Sequence, residues 1–161
     1  MTELESRAWL SLVWTADLLP AALDAQLQAE SDMTHFEFVV LSTLQQAPGA
    51  SLRTKDLAAA VNATMPRLSR VVGKLAERGL VERTQGRTDA RVVDVHLTSA
   101  GRRALVHAVP SHIALIKRLV VDRLDEAQLG ALVDILEPLV ARLDPQQRVG
   151  FTTARRPRAE G

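Results

Sequence analysis

The sequence predicts a mostly α-helical chain with one small β element near its middle. Two observations carry that prediction. Apolar residues recur at three- and four-residue steps over most of the length, as amphipathic helices require. Between Leu80 and Leu97 the pattern changes to a short apolar–polar alternation interrupted by a polar, glycine-containing loop, which is the pattern of a hairpin. With 161 residues, 47% of them hydrophobic, the chain is about one domain long and has enough apolar surface for a core.

Taken in order, Glu5 to about Ala29 reads as a long helix. Its stripe is Trp9, Leu12, Val13, Ala16, Leu19, Leu23 and Leu27, and Pro20 should bend it because proline lacks an N–H. Thr34 and Glu37 have capping-box spacing, so a second helix should run from His35 to about Gln46 and bury Phe36, Val39, Val40 and Leu44. Pro48-Gly49 ends it. Thr54 is a cap for a short third helix, Lys55 to Ala60. Thr64 is a cap for a fourth, with Met65 and Pro66 in its first turn and Gly79 as its stop. Leu68, Val71, Val72 and Leu75 form that helix's inner stripe, which leaves Arg67, Ser69, Arg70 and Lys74 towards solvent.

Leu80–Arg83 is then a strand, Thr84–Ala90 a loop, and Val93, Val95 and Leu97 the inward side of a return strand. Thr98 caps a further helix to about Arg123, bent at Pro110 and lined by Leu105, Val109, Ile113, Ile116 and Val120. Asp125 and Gln128 open the last, with Leu129, Leu132, Val133, Leu136, Val140 and Leu143 on one side.

Two helices joined by a short turn, then strand, loop and strand, is the order of a winged helix-turn-helix. The expected organisation is a winged unit at 34–97 flanked by dimerisation helices at 5–30 and 98–143, with a flexible basic tail at 146–161. A lone copy would leave the flanking stripes in water, whereas pairing across a two-fold axis would bury them and present two reading helices.

Composition removes several classes of function. Cysteine is absent, so there is no disulfide and no thiolate metal site. The N-terminus lacks a secretory pattern, and apolar runs look shorter than the ~20 residues of a membrane span, so a cytoplasmic location is expected. The net charge of +1 conceals an uneven distribution. Residues 1–50 hold one basic residue against seven acidic ones, whereas residues 51–91 hold nine basic against four acidic. A basic middle is the footprint of a local polyanion site.

The runs LAAAV-NATMPRLSRVVGKLAERGLVER and TDARVVDVHLTSAGRRAL resemble the multiple-antibiotic-resistance regulator (MarR) family over roughly residues 5–143. The resemblance implies a homodimeric winged helix-turn-helix regulator that binds pseudo-palindromic double-stranded DNA, commonly as a repressor. It also implies a small aromatic or phenolic acid effector in many members. Thr64, Arg67, Ser69 and Arg70 match the exposed half of the family's recognition helix. Asp89 and Arg91 match its D-x-R wing pair, in which the aspartate orients the arginine for the minor groove. Where urate-responsive relatives carry a carboxylate, this chain has Val39, which argues against urate.

Arg67 and Arg70 are candidates for guanine edges, since arginine can bond O6 and N7 together. Ser69 and Thr64 suit bases or phosphates. Lys74, Arg83, Arg87, Arg53 and Lys55 suit the phosphate backbone, where most protein–DNA bonds fall. A ligand site is expected where the winged unit meets the flanking helices, with Trp14, His35, Phe38, Ser42 and His112 as its candidate lining. His107 and His112, five residues apart across Pro110, lack the spacing of a paired metal site, and no metal or cofactor is implied. No glycine-rich phosphate loop or nucleophile elbow is present, so no catalytic residue is assigned. The alternative in another class is a winged-helix module that binds protein partners and no specific DNA.

Overall fold

The computed structural model describes residues 1–85 and 92–149. Helix α1 spans Glu3–Ser31 and α2 His35–Gln46; a tight turn at Pro48–Ala50 leads into strand β1, Ser51–Arg53. Helices α3 (Thr54–Ala60) and α4 (Met65–Glu77) follow, then β2 (Val81–Gln85), β3 (Val93–Leu97), α5 (Ser99–Leu119) and α6 (Glu126–Leu143). The three strands form one antiparallel sheet in the order β1-β3-β2, with Leu52 opposite Val95 and Arg83 opposite Val95 on the other side. The predicted hairpin therefore supplies the central strand, β3, and one edge, β2, of a three-stranded sheet. Strand β1, three residues long, is too short to show alternation in the sequence.

The core lies inside the winged unit. Leu41 and Leu44 of α2, Leu57 of α3, Leu68 and Leu75 of α4 and Val95 of β3 are all fully buried. Each such side chain contributes about 1.5–3 kcal/mol through loss of apolar surface from water. Capping boxes form at Thr34/Glu37 and Asp125/Gln128, as their spacing predicts, and a third forms at Thr2/Glu5, which lengthens α1 at its start. Helices α1, α5 and α6 run continuously through Pro20, Pro110 and Pro138.

Gly101 shows why α5 begins where it does. A Cβ there would collide with the Leu80 carbonyl oxygen and stand 2.7 Å from Leu97 Cδ1. Thr98 Oγ1 donates to Gly79 O at 2.7 Å and accepts from Gly101 N–H at 3.0 Å, so the start of α5 is bonded to the turn that ends α4.

Several expectations change. The Thr54 hydroxyl does not cap α3; it donates to Val93 O at 2.8 Å and joins α3 to the sheet, and Arg53 occupies the cap position. Thr64 takes the cap position of α4 without a side-chain cap bond. With Pro66 in the first turn, one of the N–H groups a cap would serve is missing. On α2, Phe36 and Val39 are only half-buried, while Leu41 joins Val40 and Leu44 inside. On α5 the inward face is Leu105, Ala108, His112 and Leu115, and Ile113 is 49% exposed. Apolar residues cover more than one face of α5, so periodicity could not say which face meets this chain's own core. For the same reason Ser99–Arg123 is long and apolar enough to cross a membrane by length and composition, contrary to the expectation of short runs. Its inner face is packed on α1 and α2.

The flanking helices carry the exposed apolar surface. On α1 only Leu23 and Leu27 are buried, whereas Trp9, Leu10, Trp14 and Leu18 are at least half exposed. None of the 18 residues of α6 is buried within this chain, and Val133, Ile135, Val140 and Leu143 face solvent.

Candidate nucleic-acid interface

Helix α4 is amphipathic. Leu68, Val72 and Leu75, at four- and three-residue steps, are buried, and Arg67, Ser69, Arg70 and Lys74 are exposed. Arg53, Lys55 and Thr64 are exposed as well, so every described DNA candidate is available to solvent. Arg53, Lys55, Ser69 and Arg83 line one concavity of about 480 Å³, together with Met65 and Asp56. The helix pair and the first wing strand thus present three cations around one hollow at the N-terminal half of α4. Met65, Pro66 and Arg67 form the first turn of this helix, and its unpaired N–H groups add positive potential at the same end.

Arg67 is not free in solution: its guanidinium lies 4.1 Å from the centre of the Phe36 ring. Stacking holds the guanidinium plane while its in-plane N–H groups remain able to donate. Phe36 thus carries Arg67 on its ring, where the sequence suggested it only as part of a core. Arg78, one of the nine cations of the basic segment, serves the fold. It bonds Asp32 O at 2.7 Å and lies 3.6 Å from the buried Glu37 carboxylate, which clamps the end of α4 to the start of α2. Lys74 lies in the last turn of α4, far from the Thr64 end. Arg87, Asp89 and Arg91 lie outside the described residues.

Of the candidate ligand residues, three come together. The His112 ring lies 4.3 Å from that of Phe38 and 5.8 Å from that of His35. Ser42 is buried one turn beyond Phe38 on α2. Around the two histidines, the His35 N–H donates to Asp24 Oδ1 at 2.7 Å, and Gln26 bonds Ser111 at 3.0 Å and meets His112 Nδ1 at 3.4 Å. His35 Nδ1 is buried with no hydrogen-bond partner. Burial pushes both imidazoles below their ordinary value; Asp24 partly opposes this at His35, and His35 adds to it at His112. Trp14 stands apart, in an open apolar groove of about 780 Å³ with Leu10, Leu18 and Leu119. Among the described residues no group of three or more His, Cys, Asp or Glu side chains forms a metal site.

Comparison with known proteins places this arrangement. The sequence pattern of the MarR family matches residues 33–93, which contain α2, the helix pair and most of the sheet. The crystal structure of Sco3205 from Streptomyces coelicolor, a MarR family transcriptional regulator in complex with DNA, superposes with a TM-score of 0.86. It is 32% identical, over 91% of this chain and 92% of that one. The HTH-type transcriptional regulator YdcH of Bacillus subtilis is 29% identical, over 74% of this chain and 77% of its own length. The transcriptional repressor MprA of Escherichia coli is 26% identical over 70% of this chain, which spans 64% of MprA. With the likeness to Sco3205 extending over the winged unit and the flanking helices alike, the chain belongs to the MarR family of transcriptional regulators.

Proposed function

We propose that the protein is a cytoplasmic, homodimeric repressor that binds a pseudo-palindromic operator. In this reading residues 34–97 read DNA and the helices at 5–30 and 98–143 pair the subunits. The observation that carries it is the hollow where Arg53, Lys55 and Arg83 surround Ser69 at the opening half of α4. Helix α4 enters the major groove, with Arg67 and Arg70 at base edges and Thr64 and Ser69 at bases or phosphates. Arg53, Lys55, Lys74, Arg83 and Arg87 neutralise phosphates, and Arg91, oriented by Asp89, enters the minor groove. The DNA in the Sco3205 structure and the name of MprA support the reading. The exposed apolar faces of α1, α5 and α6 support the dimer.

Release by a small aromatic or phenolic acid fits the junction of α1, α2 and α5, where Phe38, His35 and His112 offer rings and imidazole nitrogens. Such a ligand acts only if it binds the DNA-competent and incompetent dimers unequally.

The test is a fluorescence-anisotropy titration of the protein on DNA from upstream of its own gene, against a scrambled duplex, over a range of salt. Sequence preference and a steep fall of affinity with salt are expected. Binding that is flat with salt, or equal on both duplexes, would return the protein to the class of protein-binding modules.

A further inference from the structure

The buried stripe of α4, Leu68, Val72 and Leu75, steps by four and three residues, and a further step of three towards its start reaches Met65. Periodicity alone would therefore assign Met65 to the core. The structure does not: Met65 is 45% exposed, and the buried cluster ends on this helix at Leu68. Met65 lines instead the hollow of about 480 Å³, with Ser69 one turn further along the same face of α4. Arg53 and Lys55 from the start of α3 and Arg83 from β2 surround the two, and Asp56 adds a carboxylate.

The cations of this hollow suit phosphates, but Met65 has no N–H or O–H to donate to a phosphate or to a base acceptor. Among the base-pair edges of the major groove one group is apolar, the C5 methyl of thymine. An unbranched, polarizable thioether side chain adapts its shape to such a target, and both groups gain by leaving water together. Ser69, one turn away, is able to bond an adjacent base edge at the same time.

We propose that Met65 is a specificity-determining residue, which packs on a thymine methyl while Arg53, Lys55 and Arg83 hold the phosphates around it. This rests on the assignment of α4 to the major groove. Met65 supplies a preference for thymine over a pyrimidine without that methyl, about fourfold for each methyl contacted, as burial of one CH₂-sized group allows. A two-fold dimer makes the contact once in each half-site.

Two versions of the upstream duplex, one with thymine and one with uracil at every thymine position, differ only in the C5 methyl. Each is titrated by anisotropy at one salt concentration with the unsubstituted protein, with Met65→Ala and with Met65→Leu. The ratio of thymine-duplex to uracil-duplex affinity is expected to be smaller for Met65→Ala than for the unsubstituted protein by about fourfold or more. Met65→Leu, still apolar, is expected to keep the ratio. A folding defect acts on both duplexes and a change in DNA stiffness on both proteins, so the comparison isolates the contact. Equal ratios for the unsubstituted protein and Met65→Ala, on a duplex preferred over scrambled DNA, would overturn the role of Met65 and leave that of α4 standing. An unsubstituted protein with no preference over scrambled DNA would overturn both.

Discussion

The contact between Arg67 and Phe36 is one that, in the proposed function, prepares an arginine to meet DNA. A long arginine held on a ring face loses less rotamer freedom when it meets a base than one that starts in water. Replacing Phe36 with leucine keeps an apolar side chain but removes the ring. Operator affinity is expected to fall two- to fivefold, as about 0.5–1 kcal/mol of cation–π attraction would allow. Anisotropy checks this, and unchanged affinity would show that the ring does not prepare the arginine.

The histidine pair makes a second residue-level prediction. Both imidazoles titrate below 6.5 in the folded chain because burial disfavours their charged forms. The unfolded chain therefore binds more protons over the interval from 6.5 down to the lowered folded values, and stability falls as the pH drops through it. Above that interval both states are neutral at these sites and the contribution is fully present. Thermal melts at stepped pH should show the midpoint falling on acidification below about 6.5. His112→Gln should flatten that dependence; an equal slope in the variant would assign the effect to other groups.

Among the elements, α5 and α6 differ in how they are held. The start of α5 is fastened to the end of α4 by Thr98, and Gly101 permits the close approach to the Leu80 carbonyl. The start of α5 and the turn that ends α4 therefore form one bonded unit. Helix α6, by contrast, has no buried residue of its own. Ile135 is 61% exposed, so Ile135→Asp should change the stability of an isolated subunit by less than about 0.5 kcal/mol. In a dimer that buries this face, the same change places an unpaired charge in an apolar interface. Sedimentation velocity is expected to show the variant as a monomer with normal helicity and much weaker operator binding. A variant that still sediments as a dimer would place the subunit contact elsewhere.

At the scale of the whole molecule, the proposed dimer would set two reading heads on one operator. The D-x-R pair makes the sharpest prediction here. Arg91→Ala should weaken operator binding about fivefold or more, the low end of the 1–3 kcal/mol that a specific contact supplies, while leaving the melting midpoint unchanged. A gel shift at fixed salt measures the first and a thermal melt the second. Loss of stability without loss of binding would reduce the pair to a surface ion pair.

Helix order, the capping boxes at Thr34 and Asp125, the inner stripe of α4 and the strands around the wing were all legible in the sequence. Each depends on neighbours a few residues apart, where periodicity and hydrogen-bond geometry act directly. The exposure of Arg67, Ser69, Arg70 and Lys74 was legible for a related reason, since a polar side chain off the buried stripe of a short helix turns away from the core. Other features were set by residues distant in sequence. Arg78 belongs to Glu37 and Asp32, Arg67 to Phe36, and the Thr54 hydroxyl to Val93, pairings that no local pattern contains. Which apolar face of α5 turns inward was likewise decided only by packing. A stripe states that a face must leave water, but only the folded chain determines what covers it.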